Sequence, residues 1–193
     1  VYTQLNQPDY SAELAQLQAA APDAVYAFFP GSMGVNFIKQ FKQVGLLGML
    51  PLLTVSTVDG TQLPALKDSA LGTYAATFWG PDFQNPTSKA FTAAFEKKHG
   101  RIPSQYAAQA YDSALLIDSA LKKTGGNVSD KQSLRDALRA ADYVSLRGSY
   151  RFGANGFPIQ DFHVFEVAKD SGGRVSLKTI ATPLKAHQDA YVG

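Results

Sequence analysis

Cysteine is absent from the 193-residue sequence, which excludes thiol chemistry, cysteine-ligated metals and disulfides. An excess of one charge is missing too: 18 Lys+Arg stand against 16 Asp+Glu, for a formal +2. A polyanion binder or polybasic membrane anchor needs clustered cations, so nucleic acid is not an expected partner. Long apolar runs are also lacking. The richest, Val44 to Val55, is broken by Gly45, Gly48 and Pro51 and falls short of the roughly 20 residues that span a bilayer. No leader pattern opens the chain. It begins instead on Val-Tyr-Thr-Gln-Leu, a strand already under way, and is therefore expected to be a mature or trimmed part of something longer.

Catalytic signatures are missing as well. There is no HExxH, GxSxG, P-loop or GxGxxG pattern, and Gly31-Ser32-Met33-Gly34 lacks the spacing and Lys of a phosphate cradle. The histidines, His99, His163 and His187, lie far apart. His99 suits a helix C-terminus, and His163 alternates with Phe162 and Val164 in a way that predicts a solvent-facing or lobe-surface position. Asp112 and Asp118, six apart, do not form a facing carboxylate pair on their helix. Asn127-Val128-Ser129 matches a glycosylation sequon by what is usually chance. The expectation is a chain that is not an enzyme and that uses no cofactor or metal.

What is present is alternation. At 45% apolar and 18% charged residues the chain is an ordinary globular sequence. Residues 1–5 read as a strand. A helix follows, with Ser11 or Asp9 able to cap it, Glu13 in its first turn, and Leu14, Leu17 and Ala21 at helical spacing. Ala24 to Phe29 is an apolar run suited to a strand buried on both faces. A helix over 35–44 ends at Gly45, and Leu50 to Val55 is another buried strand. Strand–helix alternation with short links predicts an α/β fold with a parallel sheet. Thr73 to Phe78 reads as a further strand, followed by helices over about 87–99, 104–124 and 130–141. The last third reads as strands over 145–152, 162–168 and 174–180 separated by glycine-rich turns, with a short helix over 184–191.

Ligands of parallel α/β sheets gather beyond the carboxyl ends of strands. Two such ends stand out. Phe28, Phe29, Pro30, Gly31, Ser32 and Met33 follow one strand and open a helix whose free N–H groups can receive an oxygen. Thr54, Ser56 and Thr57 follow another and place three hydroxyls within four residues. Aromatic surface beside a few hydroxyls is the usual make-up of a small-molecule pocket. The competing reading has the two phenylalanines in the core and the hydroxyls capping turns.

The ordered series Asp9-Tyr10-Ser11, Pro22-Asp23-Ala24-Val25-Tyr26, the Phe-Phe-Pro-Gly loop and Phe37-Ile38-Lys39-Gln40 resembles the type I periplasmic binding proteins of the branched-chain amino acid transporter class. Gly72-Thr73-Tyr74, Phe91 to Phe95, Gly100 to Pro103 and Ala108 to Asp112 continue the resemblance along the chain. It implies two α/β lobes with a ligand in the cleft between them, of which this sequence corresponds to the second half. Residues 1–70 and 160–193 would belong to one lobe and 73–158 to the later part of the other. The crossings would then fall near 70–72 and 158–160. The resemblance further implies a periplasmic location, a membrane permease and an ATPase subunit as partners, and an N-terminal half covering the apolar surface left bare. That half is expected as a separate or disordered piece, failing which chains would pair.

In family members that take aliphatic amino acids, the position matching Ser56 is typically acidic and neutralises the ligand ammonium. The nearest carboxylate here is Asp59, and burying an ammonium without a partner is costly. Hence an aromatic acid (benzoate, hydroxybenzoate or phenylpropanoid type) is the first expectation and an aliphatic amino acid the second. The resemblance leaves the ligand carboxylate to early residues of the other lobe. A ligand-sensing regulatory domain of the same fold is the alternative function, and an α/β enzyme the third.

Overall fold

The computed structural model describes residues 1–191. Its elements run α1 (Ser11–Ala20), β1 (Val25–Ala27), α2 (Ser32–Gln43), β2 (Leu52–Val55), α3 (Leu63–Leu66), a 3-10 turn (Lys67–Ala70) and β3 (Tyr74–Thr77). After these come α4 (Pro86–His99), α5 (Gln105–Lys123), α6 (Lys131–Ala140), β4 (Arg151–Phe152), β5 (Pro158–Lys169) and β6 (Val175–His187). The α/β class expected from the alternation is the class observed.

One sheet carries all six strands. β1, β2 and β3 are parallel neighbours, in register through Tyr26, Leu53 and Tyr74. β5 joins β3 antiparallel, with Thr77 opposite His163, and also pairs with β6 and β4. The sheet is therefore mixed: β1, β2 and β3 are parallel, and β5 runs antiparallel both to β3, which it meets after the long excursion through α4, α5 and α6, and to β4 and β6, which short turns join to it. The turn into β6 is made by Asp170, whose Oδ1 accepts from the N–H groups of Gly172 and Arg174.

The core forms on one face of the parallel strands. Phe37, Ile38 and Phe41 recur at helical spacing on α2 and are fully buried against Val25, Ala27 and Leu52. Tyr10, Phe29, Phe37 and Phe41 pack as an aromatic file, with successive ring centroids 5.4, 4.8 and 5.7 Å apart. Each buried ring is worth about 2–3 kcal/mol of transfer free energy. Gly34, in the first turn of α2, lets the helix close onto the strand tips: a Cβ there would lie 2.3 Å from the Phe29 carbonyl oxygen. On the opposite row of the sheet Tyr26 is 71% exposed and Leu53 is 40% exposed.

Several sequence expectations are corrected. Residues 1–5 form no strand; Val1, Tyr2 and Leu5 are exposed and pair with no neighbouring strand among the described residues. Of the strand expected over 145–152, only Arg151–Phe152 is extended, because Ser145 and Leu146 are bound by Asp112 and a turn follows at Gly148. The helix expected over 184–191 is not formed: residues 184–187 are the end of β6, with Leu184 opposite Phe162 and His187 opposite Gln160, and residues 188–191 lie outside any helix or strand. Residues 74–77, expected in the other lobe from residues 1–70, hydrogen-bond to β2 and lie in the same sheet as β1 and β2. His163 is not solvent-facing. It is buried, edge-on to Phe83 at 4.7 Å with Nδ1 3.0 Å from the Thr182 hydroxyl, and burial holds its pKa below the usual value.

Candidate functional site

The tips of β1 and β2 meet through Thr57. Its buried hydroxyl accepts from the Phe29 N–H at 2.9 Å and donates to the Val55 carbonyl at 3.0 Å, so one side chain brackets both loops. Thr54 points the other way, into the sheet, and donates to the Tyr74 carbonyl at 2.8 Å. Both hydroxyls are spent on structure. Ser56 differs: it holds a left-handed backbone (φ 51), an uncommon state for a non-glycine residue, and borders a cavity of about 310 Å³.

That cavity lies where β2 and β3 end and α5 begins. Val55, Ala76 and Thr77 line it from the strands, Phe78 and Phe162 from the segments flanking β3 and within β5, and Gln105, Tyr106 and Gln109 from α5. Its size is at the small end of the roughly 300–1,000 Å³ of ligand sites. The first turn of α5 is fixed by Ser104, whose side chain accepts from the Ala107 N–H at 3.1 Å. Gln105 is thereby brought between two strand tips: the Thr77 hydroxyl donates to its Oε1, and its Nε2 donates to Ser56 Oγ at 3.2 Å. No Asp, Glu, Lys, Arg or His is among the lining residues. Asp59, the nearest carboxylate in sequence, is buried elsewhere, with Oδ1 accepting from the Thr61 backbone and hydroxyl at 2.6 Å each.

Behind the cavity wall stands a buried ion pair. The Asp112 carboxylate is 3.2 Å from Arg147 Nε and also accepts from the Tyr143 hydroxyl, the Ser145 hydroxyl and the Leu146 N–H. Burial and the Asp112 charge raise the Tyr143 phenol above its ordinary pKa. The Arg147 guanidinium lies 4.5 Å from the centre of the Phe78 ring and donates to Gln160 at 2.8 Å, so it packs on both segments that flank the cavity.

Of the eight residues singled out from sequence, only Ser56 borders this cavity. Phe28 and Phe29 border a separate groove of about 490 Å³ beside β1, shared with Tyr2, Glu13, Leu17 and Tyr26. Gly31, Ser32 and Met33 border neither, and the Met33 sulfur accepts from the Asn6 N–H at 3.3 Å. Phe28 and Phe29 thus wall that groove, whereas the aromatic lining of the Ser56 cavity is Phe78, Tyr106 and Phe162. Phe78 follows the third strand, and applying the strand-end rule to that strand as well points to it. Gln105 and Tyr106 carry only the weak signal of heading a long helix after Pro103. A larger cavity, about 670 Å³, lies on α5 beside Thr87 and Tyr143 and contains none of the strand tips.

The chain matches the family model for periplasmic binding proteins over residues 1–174. No protein with a curated description matches it. Among solved structures it is similar to a solute-binding protein of an ABC transporter from Rhodopseudomonas palustris BisB5 in complex with 3,4-dihydroxybenzoic acid, at 30% identity and TM-score 0.83 over 95% of this chain and 51% of that one. A solute-binding protein from R. palustris in complex with benzoate aligns at 27% identity and TM-score 0.79, over 96% of this chain and 52% of that one. A leucine-binding protein from Thermotoga maritima shares the fold alone, at 22% identity and TM-score 0.77, over 95% and 51%. The chain thus spans about half the length of the solved structures it matches. With its parallel strand tips, its return strand β5 and this match over most of its length, the chain belongs to the type I class of the periplasmic binding protein family.

Proposed function

We propose that these residues form part of a solute-binding component of an ABC importer, which captures a small aromatic acid between two lobes and closes over it. The observation that carries the reading is the neutral, aromatic-walled cavity at Ser56, Thr77 and Gln105. A benzoate-type ring is held by Phe78, Phe162 and Tyr106, whose apolar area suits a flat ligand. An amino acid would bring an ammonium to a wall that offers no carboxylate, at the cost of burying an unpaired charge. Relatives at 27% and 30% identity that were solved with benzoate and a dihydroxybenzoic acid support the same class.

In this reading the ligand carboxylate is taken by an N-terminal half of the same protein. That half also covers the exposed face of α5 and the bare row at Tyr26 and Leu53. The hinge runs through the segment after Thr77 and through the start of β5 near Pro158 to Gln160, the two places Arg147 touches. Ligand bridging both lobes shifts the open–closed population, and the closed form engages the permease and its ATPase in the periplasm. No helix among the described residues is long and apolar enough to cross a membrane.

A thermal-shift screen of the complete protein against benzoates, phenylpropanoids and the common amino acids tests the ligand class. Benzoates should raise the melting temperature by several degrees and leucine should not. The reverse order would overturn the proposal. In the same assay Phe162→Ala and Phe78→Ala should weaken the benzoate response.

A further inference from the structure

Gln105 is only 7% exposed, and buried amides normally have their hydrogen-bonding capacity used. Here it is used by half. Its Oε1 takes the Thr77 hydroxyl proton, and one Nε2 hydrogen goes to Ser56 Oγ at 3.2 Å. Among the described residues the second Nε2 hydrogen has no acceptor, the Ser56 hydroxyl proton has none either, and the Thr77 oxygen accepts from no donor. All three groups border the same cavity, next to the rings of Phe78 and Phe162. The cavity therefore offers two uncharged donors and one uncharged acceptor beside an aromatic slot.

We propose that Gln105, supported by Ser56 and Thr77, is the specificity-determining residue of the site and reads a hydroxyl group on the ring of the bound aromatic acid. This rests on the solute-binding reading above and narrows it. A phenolic hydroxyl both accepts and donates, which matches the three free positions. An ionised ring substituent would find no counter-charge among the lining residues. An unsubstituted ring would leave the buried amide and the half-buried hydroxyls beside it without partners, and that omission is where discrimination arises.

The test is calorimetric titration of the complete protein with benzoate, 3-hydroxybenzoate and 4-hydroxybenzoate. At least one hydroxylated acid should bind roughly tenfold or more tighter than benzoate, the worth of one well-placed hydrogen bond in a desolvated site. Gln105→Leu should reduce that advantage to about threefold or less while moving benzoate affinity by less than about threefold. Thr77→Val and Ser56→Ala, each of which keeps the slot, should give partial losses and serve as the test should Gln105→Leu fail to fold. An unchanged advantage in all three variants, or equal losses for benzoate and hydroxybenzoate, overturns the role of Gln105 while leaving the solute-binding reading intact. A wild-type protein that ignores all three acids and binds an amino acid overturns both.

Discussion

A continuous apolar cluster from Tyr10 to Leu177 holds β1, β2, β3 and β5 against α2 and α3, whereas Trp79, Phe91, Ala108 and Leu146 alone form the buried cluster beneath α4 and α5. The second region makes up for its thin core with polar chemistry. Asp112 at 1% side-chain exposure and Arg147 at 8% tie α5 to the segment that precedes β4. Meanwhile Tyr106, Tyr111 and Ile117 on α5 stay about half exposed. The sheet region is stabilised by area; the helical region is stabilised by a network that tolerates no missing member. The contrast matters for function, because the cavity lies on the line between the two.

The contrast breaks most visibly at Asp112. Replacing it with Ala leaves the Arg147 guanidinium buried without its counter-ion and should cost about 3–5 kcal/mol, with α5 and α6 gaining amide exchange well before β1 to β3. Uniform acceleration of exchange across both regions would show that they do not differ in this way. Next in size is Thr57→Val, which keeps the shape but strands the Phe29 N–H. It should lose about 1–3 kcal/mol in denaturant titration and loosen the two strand tips together.

His163 sharpens the comparison from the side of the return strand. Burial lowers its pKa below 6.5, against the opposing pull of Asp161 and Asp82, so the folded state binds fewer protons than the unfolded one at mildly acidic pH. The stability it contributes is present above about pH 6.5 and declines as pH falls toward the lowered value. Unfolding midpoints measured from pH 8 to 5 should decline accordingly, and His163→Gln should flatten that decline. The smallest effect is expected at Arg174. Its guanidinium joins Glu96 of α4 at 3.4 Å and Asp170 at 2.9 Å on an exposed surface, so Arg174→Ala should cost under about 1 kcal/mol, and less in high salt.

Sequence patterns made the α/β class legible because α2 carries Phe37, Ile38 and Phe41 at one spacing and the flanking strands are short apolar runs. They failed where long-range pairing outweighs local signal. Residues 184–187 read as helix but are extended, because β5 supplies partners across the hairpin. The site was legible as a place, the strand tips, more than as a set of side chains. Hydroxyls at positions 54, 56 and 57 look alike in sequence, yet strand alternation sends Thr54 inward and the turn commits Thr57 to the backbone, which leaves Ser56. Phe162 and Gln105 reach the cavity through the tertiary path of β5 and α5, and no local pattern records that path.

The most direct measurement is a crystal structure of the complete protein with 4-hydroxybenzoate bound. The account predicts the ring between Phe78 and Phe162, with its hydroxyl within about 3.2 Å of Gln105 Nε2 or Ser56 Oγ. A ligand seated in the groove beside Phe28 and Tyr26, or anywhere that leaves the Ser56 cavity empty, would contradict it.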